Sequence, residues 1–242
     1  TKLSSIFFCF TKESAKRVVR LGEEKWRVHT VGHTAAHRYK NTKSLSKSYL
    51  SKYLNLNIKN EPLIIIIQHP VSNRLKTTKK NFKTTLHAID ELNLPTIIIG
   101  PNSDPGNLAM KLQYLKFKFS NKKVKYFKNL PEKIFINVIK KSSVLLGNSS
   151  MGVLEAPLVK LPVVNVGLRQ KDRQNAGNIL FVTCNKNKII KAIKKSLYNK
   201  KYLKKIKSLK NPYGVYGAPE KVVKVLSKIS INDKLISKKI TY

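Results

Sequence analysis

The chain has 242 residues, of which 41% are hydrophobic, and its 49 Lys and Arg against 12 Asp and Glu give a net charge of +37. This apolar fraction excludes a wholly disordered chain, and the longest apolar runs, residues 6–10 and 63–67, are far shorter than the ~20 residues of a transmembrane helix. The two cysteines, Cys9 and Cys184, exclude a disulfide framework and a structural zinc site. We therefore expect a cytoplasmic protein with no metal or other cofactor and no membrane partner.

The excess of basic residues has two interpretations. Clustered cations bind nucleic acid by neutralising its phosphates and releasing counterions, whereas dispersed cations keep a surface solvated. Only seven of the basic residues are Arg, and the Lys residues that form the remainder run along the whole chain. Because Lys lacks the bidentate fork with which Arg reads bases, this composition favours a solvated surface. Nucleic acid is therefore not the expected partner, and a basic polyanion-binding module is the non-enzymatic alternative.

Short β-branched runs alternate with segments of helical period, a pattern that predicts βα units around a parallel sheet. Strands are predicted at residues 6–10, 27–31, 63–68, 96–100, 124–127, 144–146, 163–166 and 179–183. Helices are predicted at residues 12–21, 45–54, 77–92, 107–117, 132–141, 152–159, 188–198, 202–209 and 219–229. Several strands are apolar on both faces, which indicates helices on each side of the sheet. The predicted fold class is α/β, with a doubly wound parallel sheet.

The polar stretch at residues 33–44 is predicted to be a linker. Residues 1–40 then supply only a βαβ remnant, which cannot bury both faces of its strands alone, so a preceding domain or a partner chain would have to cover it. Residues 41–230 are predicted to form one doubly wound domain, and residues 231–242 a frayed basic tail.

Four polar loops follow predicted strands, and ligands of open α/β sheets bind where the strands end. The side chains of interest in these loops are His69, Asn102, Asp104, Ser149, Ser150, Arg169 and Arg173. The loop GNSSMG, at residues 147–152, lies between a strand and a helix, so it directs free main-chain N–H groups and a helix dipole at one point. This order predicts a phosphate site, although both serines can instead be helix N-caps. The GK[ST] and GxGxxG signals of triphosphate and dinucleotide binding are absent from the sequence.

The other polar residues also have two interpretations each. Glu155, in the helix after this loop, either accepts ribose hydroxyls or complements the helix dipole. Arg169 and Arg173 share a loop, where they either bind a diphosphate or carboxylate through bidentate forks or make surface salt bridges. His69 either contacts a phosphate or sugar oxygen, acts as an acid or base, or is a structural histidine.

Six segments together resemble, in order and spacing, the UDP-N-acetylglucosamine 2-epimerase family. They are TKESAKRVVRLGEEKWRVHTVG (11–32), QHPV (68–71), PNSDPG (101–106), GNSSMGVLEAP (147–157), LPVVNVGLRQKDR (161–173) and NPYGVYGAPEKV (211–222). The GNSS…EAP and NVG.RQ..R forms are similar to its hydrolysing branch, which supplies sialic acid and related nonulosonic acid pathways.

The resemblance implies the two-domain glycosyltransferase-B architecture, with the active site between two Rossmann-like halves. Residues from about 40 onward would be the carboxyl-terminal, UDP-holding half, and residues 1–32 the end of the amino-terminal half. The implied roles are diphosphate contacts for Ser149 and Ser150, ribose contacts for Glu155, uracil stacking for Phe135, an active-site histidine at His69 and an arginine loop with Arg169 and Arg173. Phe135 can equally lie on a core face of its helix. Asn102 and Asp104, in the PNSDPG segment, are also expected to contact the substrate.

The implied reaction removes UDP from a UDP-2-acetamido sugar by anti elimination across C1 and C2, and then adds water to the glycal. The product is the free 2-epimer, of the N-acetylmannosamine type. Non-hydrolysing relatives return UDP to C1 instead, and a glycosyltransferase of the same architecture would retain the C2 configuration. The family's acid and base carboxylates belong to the amino-terminal half, most of which this sequence lacks, so we expect UDP binding without catalysis. We also expect a UDP-sugar as partner and a homodimer.

Overall fold

The structure of the protein is a computed structural model that describes residues 2–71, 75–120, 122–214, 216–239 and 241. Arg74, one of the seven arginines, and residues 240 and 242 of the predicted tail lie outside the described residues. The chain forms two compact units, Thr1–Asn41 with Asn211–Tyr242, and Thr42–Lys210. The sequence predicts a different grouping, in which residues 211–230 belong to the central domain and residues 231–242 form a free tail.

The described residues contain eight strands and eleven α-helices. The strands are β1 (Phe7–Cys9), β2 (Val28–Thr30), β3 (Ile64–Ile67), β4 (Thr96–Ile99), β5 (Val124–Phe127), β6 (Val144–Gly147), β7 (Val163–Val166) and β8 (Ile179–Val182). The helices are α1 (Lys12–Arg20), α2 (Ala35–Asn41), α3 (Lys47–Leu54), α4 (Leu75–Leu92), α5 (Asn107–Lys116), α6 (Glu132–Lys141), α7 (Met151–Leu154), α8 (Lys186–Tyr198), α9 (Lys200–Ser208), α10 (Ala218–Leu226) and α11 (Asp233–Ile236). All eight predicted strands are confirmed. None of the described helices is long and apolar enough to cross a membrane.

The first unit is built on a parallel pair of strands. Strands β1 and β2 pair with Phe7 opposite Val28, and α1 connects them. Thr11 starts this helix, because its Oγ1 accepts the N–H of Ser14 at 3.1 Å and so satisfies one of the free donors of the first turn.

The predicted linker at residues 33–44 was wrong, because this segment contains helix α2. Ala35, Ala36 and Tyr39 of the helix are buried, and α2 packs against α10 of the same unit. Three apolar side chains in a short run that is otherwise polar or basic give too little periodicity to indicate a helix. Burial by a distant segment of the chain stabilises it instead.

The predicted frayed tail at residues 231–242 was also wrong for its described part. Arg27 is fully buried, and its guanidinium donates to the carbonyl oxygens of Lys234 at 2.7 Å and Leu235 at 2.8 Å. Its Nε forms an ion pair with Glu24 at 2.7 Å. A buried cation is costly unless it has such partners, so this residue fixes α11 in the first unit.

The second unit contains a six-stranded parallel sheet in the order β5-β4-β3-β6-β7-β8. Numbered along the unit, this is the 3-2-1-4-5-6 order of the Rossmann fold. The prediction of a doubly wound parallel sheet is confirmed. Right-handed crossovers place α4 and α5 on one face of this sheet and α6 and α7 on the other.

Both faces of the sheet are buried, because its strands are apolar at successive positions. All four isoleucines of β3 are buried. Ile64 and Ile66 belong to one core with Leu86 of α4 and Ile189 of α8. Because side chains alternate along a strand, Ile65 faces the other side, which carries α6. The apolar strands thus fix the positions of the loops at the strand ends.

Candidate functional site

The carboxyl ends of β3 and β6 lie side by side where the sheet reverses its strand order. From β3 the chain continues to β4 and β5 on one side, and from β6 it continues to β7 and β8 on the other. Ligands of doubly wound sheets bind in the crevice at this point. The candidate site is therefore formed by the loops after these strands.

Gly147 allows the loop after β6 to approach the end of β3. Its φ is +135°, and a Cβ at this position would lie 2.2 Å from the carbonyl oxygen of Ile67. No side chain fits there, so only glycine satisfies both the backbone conformation and the close approach. The N–H of Asn148 donates to the same carbonyl oxygen at 3.3 Å.

Asn148 fastens the loop after β6 to His69 in the loop after β3. Its side chain is only 4% exposed, and its Oδ1 accepts the main-chain N–H of His69 at 2.7 Å while its Nδ2 donates to the His69 carbonyl at 2.9 Å. Both polar ends of the amide are thus used on one residue, as burial requires. The histidine main chain is fixed from both sides.

The loop after β7 joins the same group through Arg169 and Gln170. Arg169 Nη1 and Gln170 Nε2 both donate to the main-chain carbonyl of Asn148, each at 3.1 Å. Arg173 Nη1 in turn donates to Gln170 Oε1 at 2.9 Å. In the described part of the chain neither arginine forms a salt bridge, so the alternative of surface ion pairs is not what the structure shows. Arg169 keeps most of its donors available.

The His69 ring is held in one tautomer by the loop after β4. The main-chain N–H of Asn102 donates to its Nδ1 at 3.2 Å, so the neutral ring carries its proton on Nε2. Burial lowers the pKa of His69, the nearby Arg169 lowers it further, and the carboxylate of Asp104 partly opposes them. A neutral imidazole is therefore favoured near neutral pH, and its Nε2–H has no hydrogen-bond acceptor among the described residues.

The phosphate loop predicted at residues 147–152 contains two free donors. Among the described residues, the main-chain N–H groups of Ser149 and Ser150 have no hydrogen-bond acceptor. The hydroxyl of Ser149 accepts the N–H of Met151 at 3.3 Å, whereas Ser150, at the N-cap position, makes no side-chain cap bond. One serine therefore has a capping role, and two adjacent N–H groups remain to bind an anion.

The helix predicted at residues 152–159 was wrong in its length. Helix α7 is a single turn that ends at Leu154, and Ala156–Val159 forms a 3₁₀ turn with Pro157 near its start. A proline lacks the N–H that continues an α-helix, so the helix stops before it. Glu155 lies between the two turns, and the dipole of so short a helix contributes little to anion binding.

Phe135 lies on α6 and is half-buried, between the buried Ile134 and Ile136. The roles of Phe135 and Glu155 stay predictions, whereas hydrogen bonds or charge directly connect His69, Asn102 and Arg169.

Sequence reasoning assigned no role to Asn148 or Gln170, which fasten the three loops together. Both lie in the polar loops identified from the sequence, but their function depends on partners 79 and 22 residues away. The available signal for Asn148 was an amide side chain in the loop that follows a predicted strand. No three His, Cys, Asp or Glu side chains among the described residues are placed to hold a metal ion.

The fold defines an α/β protein of the doubly wound class, with its polar loops at the point where the strand order reverses. Residues 1–227 match the family of UDP-N-acetylglucosamine 2-epimerase. The chain therefore belongs to the UDP-N-acetylglucosamine 2-epimerase family.

Two curated relatives and one solved structure place the chain more closely. It is 36% identical over 183 residues to GDP/UDP-N,N'-diacetylbacillosamine 2-epimerase (hydrolyzing) of Campylobacter jejuni, covering 74% of this chain and 47% of that protein. It is 28% identical over 238 residues to UDP-N,N'-diacetylbacillosamine 2-epimerase (hydrolyzing) of Legionella pneumophila, covering 98% of this chain and 61% of the relative. The chain thus spans roughly half to three fifths of these relatives.

The crystal structure of UDP-GlcNAc 2-epimerase from Neisseria meningitidis bound to UDP-GlcNAc superposes with a TM-score of 0.74 at 20% identity. The superposition covers 94% of this chain and 62% of that one. At this identity the likeness establishes the fold, and it confirms the predicted Rossmann-like, glycosyltransferase-B class.

Proposed function

We propose that this chain carries the UDP-holding groups of a hydrolysing UDP-sugar 2-epimerase. The family membership supports this proposal, and so do the two curated relatives, whose names both specify a hydrolysing 2-epimerase. The observation that carries it is the convergence of donors at the point where the strand order reverses. There the free N–H groups of Ser149 and Ser150 lie in the loop that Asn148 fastens to His69 and Arg169.

These donors suit the departure of UDP from C1 of the sugar. In the elimination a base removes the C2 proton, the C2–H electrons form the C1–C2 double bond, and the C1–O electrons leave with the β-phosphate. Negative charge grows on the phosphate oxygens as the bond breaks, and prepositioned N–H and guanidinium donors stabilise it. Water then adds to C1 of the glycal and a proton to C2 from the opposite face, which gives the free 2-epimer.

The remaining residues have narrower proposed roles. Ser149 and Ser150 contact the diphosphate, Glu155 accepts the ribose hydroxyls and Phe135 stacks on uracil. Arg173 supports the arginine loop through Gln170, because its guanidinium donates to the Gln170 side chain. Asn102 and Asp104 act on His69, the first by fixing its tautomer and the second by its charge. The proton transfers at C2 are not assigned to a residue of this sequence.

Calorimetric titration with UDP tests the nucleotide site. We expect saturable binding that Ser149→Ala and Glu155→Ala each weaken at least about tenfold, the loss of one good polar contact to a charged ligand. Ser46→Ala is the control for Ser149, since Ser46 also caps a helix of this unit, accepting the Tyr49 N–H at 3.1 Å. Glu61→Ala is the control for Glu155, since it removes the same charge from a surface ion pair with Lys123. Wild-type affinity in both site variants would refute the proposal.

Product analysis tests the reaction class. With UDP-N-acetylglucosamine as substrate, NMR distinguishes release of UDP with a free 2-epimer, the hydrolysing reaction, from a UDP-linked 2-epimer, the non-hydrolysing one. Transfer to an acceptor with the C2 configuration retained would identify a glycosyltransferase. Robust turnover by these 242 residues alone would contradict the expectation that the proton-transferring carboxylates lie outside them.

A further inference from the structure

The outer face of α5 carries a stripe of exposed leucines. Leu108, Leu112 and Leu115 are 62%, 41% and 61% exposed. At about 100° per residue these three side chains fall within about 60° of the helix circumference, whereas Met110, which is buried in the core, lies nearly opposite to them. The leucine stripe therefore faces away from the sheet and into solvent. A single exposed leucine is ordinary, but three on one face of a ten-residue helix form a continuous apolar surface that calls for a partner.

Lysines flank the leucine stripe on both sides. On the same helical projection Lys111 lies about 60° to one side of Leu108, and Lys116 lies about 80° to the other side. The sequence around the helix is basic throughout, since residues 105–131 contain seven lysines and no Asp or Glu. A partner of the stripe therefore has to be apolar at its centre and anionic around it.

A basic cavity of about 500 Å³ adjoins the stripe on the side of Lys116. Helices α4 and α5 both contribute to it, and its lining includes four lysines: Lys79, Lys83, Lys116 and Lys118. Among the described residues that line it, the only carboxylate is that of Asp90, whose two oxygens accept the main-chain N–H and the hydroxyl of Ser120, each at 2.7 Å. A phosphate group placed here would meet positive charge from two helices.

We propose that the outer face of α5 docks on an anionic phospholipid surface, with the leucine stripe inserted below the head groups and the lysines of the basic cavity paired with lipid phosphates. This inference goes beyond the proposed function and does not depend on it. Leucines along one face with lysines beside them are typical of helices that lie in the plane of a membrane interface. The expectation of no membrane partner rests on the lack of an apolar run that could cross a bilayer, and an interfacial helix needs no such run.

Two other occupants fit this surface less well. Protein interfaces are enriched in Trp, Tyr and Arg and depleted in Lys, whereas the leucine stripe and its margins contain only aliphatic side chains and lysines. A second copy of the chain would bring the lysines of one stripe against those of the other, and like charges at short range repel. The net charge of +37 adds attraction to an anionic membrane and repulsion between copies.

Co-sedimentation of the 242-residue chain with lipid vesicles tests the docking. We expect binding to vesicles made of equal parts of phosphatidylcholine and phosphatidylglycerol, and much weaker binding to phosphatidylcholine alone. Leu108→Ser with Leu115→Ser should lower the partition coefficient at least about tenfold, because it removes the apolar area that inserts. Leu21→Ser with Leu226→Ser is the matched control, since these leucines at the ends of α1 and α10 are 56% and 53% exposed. Binding of this control should stay within about twofold of wild type.

Charge reversal separates the lysines of the basic cavity from the charge of the whole chain. Lys79→Glu with Lys83→Glu changes two exposed lysines of α4, and Lys201→Glu with Lys205→Glu changes two exposed lysines of α9 at the same spacing. The net charge falls by the same amount in both variants. We expect the α4 variant to bind phosphatidylglycerol vesicles at least about fivefold more weakly than the α9 variant does.

Tryptophan fluorescence measures the insertion of the leucine stripe directly. The chain has one tryptophan, Trp26, so Trp26→Phe with Leu112→Trp leaves a single indole, within the stripe. We expect its emission to move to shorter wavelength on phosphatidylglycerol vesicles, and lipids brominated on their acyl chains to quench it.

The outcomes distinguish a membrane surface from the other occupants. Equal losses of vesicle binding in the stripe variant and its control, or an indole that stays in water on vesicles that bind the protein, would overturn the inference. Self-association that Leu108→Ser with Leu115→Ser abolishes, in a chain that does not bind vesicles, would assign the stripe to a second copy instead. Unfolding in urea at the wild-type midpoint shows that the stripe variant is folded, so that its loss of binding reports the surface.

Discussion

The protonation of His69 links ligand binding to pH. Burial and Arg169 lower its pKa below the ordinary value of 6.5, and a diphosphate bound beside it would raise the pKa again by supplying negative charge. Binding then takes up a proton, so the affinity for UDP-N-acetylglucosamine should rise as the pH falls through the interval below 6.5. One unit of pKa change corresponds to about tenfold in affinity. The sugar nucleotide is the right probe, because its diphosphate diester does not titrate here as the terminal phosphate of UDP does.

The measurement is calorimetry across this pH range, with NMR detection of the His69 ring. His69→Gln should remove the pH dependence and keep a neutral donor at this position. In the free protein the unfolding free energy changes with pH in the opposite direction to the affinity. His69 binds its proton more tightly in the unfolded state than in the folded state, so its contribution to stability is present above pH 6.5 and is lost as the pH falls towards the lowered pKa. The burial of His33 lowers its pKa too, so His69→Gln should remove only part of that loss. An affinity that is flat in pH would show that the ring does not face the phosphates.

Asn148 should matter for binding beyond its effect on stability. Asn148→Ala removes two hydrogen bonds to the His69 main chain, which we expect to cost about 1–3 kcal/mol of unfolding free energy and at least about tenfold in UDP affinity. Asn137→Ala is the matched control. Its buried amide likewise accepts from Leu45 N–H at 2.8 Å and donates to the Lys43 carbonyl at 3.0 Å, in another part of the same unit.

Urea unfolding and UDP calorimetry on both variants separate the two effects. We expect both variants to lose a similar amount of unfolding free energy, and only Asn148→Ala to lose UDP affinity. Equal binding defects in the two variants would mean that Asn148 acts through general stability and does not position His69.

At the scale of single elements, the junction of β3 and β6 depends on Gly147. In Gly147→Ala the new Cβ would lie 2.2 Å from the Ile67 carbonyl oxygen at a φ of +135°, and main-chain atoms cannot give way as a side chain can. We expect a loss of at least ~3 kcal/mol in unfolding free energy and loss of UDP binding.

Gly177→Ala is the control for Gly147→Ala. Gly177 also has a positive φ, +89°, but its Cβ would meet only a leucine methyl group of Leu209, at 3.6 Å. Only the cost of the left-handed backbone, ~1–2 kcal/mol, should remain, with UDP binding intact. Denaturant titration checks that Gly147→Ala loses more unfolding free energy than Gly177→Ala does. Equal stabilities would show that the loop after β6 moves away from the end of β3 at little cost.

Elements defined by their own residues were predictable, whereas elements defined by distant contacts were not. The runs of isoleucine in β3 and β4 identify buried strands directly, because apolar residues on both faces need cover on both sides. Helix α2 is mostly polar and is held by α10, so its local pattern resembles a loop. The end of α7 follows from Pro157, a signal that was present in the sequence and was outweighed by the apolar residues around it.

The candidate site likewise contains one part that was predictable from the sequence and one part that was not. The loop of Ser149 and Ser150 was predictable because strand, small-residue loop and helix follow one another in sequence. The fastening by Asn148 was not, because its partner His69 is 79 residues away and an asparagine after a strand has many possible partners.

At the scale of the whole molecule, every proposed site residue falls in the unit Thr42–Lys210. The boundary predicted near residue 40 lies beside the division between Asn41 and Thr42. The return of Asn211–Tyr242 to the first unit depends on Arg27 and the carbonyl groups of α11, which no local pattern indicates. The charge of +37, in contrast, is a property of the chain as a whole and extends over both units.

This charge gives the last prediction, which separates a nucleotide site from general attraction to polyanions. A UDP-sugar has two phosphates, so its affinity should fall by no more than about tenfold when salt rises from about 50 to about 200 mM, whereas an oligonucleotide that neutralises many lysines should lose about 10³-fold or more. Arg169→Ala should weaken UDP-sugar binding at both salt concentrations, because its guanidinium is fastened at the strand ends by the Asn148 carbonyl. Lys83→Ala, which removes one positive charge on α4 and none from the candidate-site loops, should change neither affinity by more than about twofold. Fluorescence anisotropy with a labelled oligonucleotide and calorimetry with the UDP-sugar measure both. An oligonucleotide that still binds tightly at the higher salt and displaces the UDP-sugar would favour the polyanion-binding module over the epimerase.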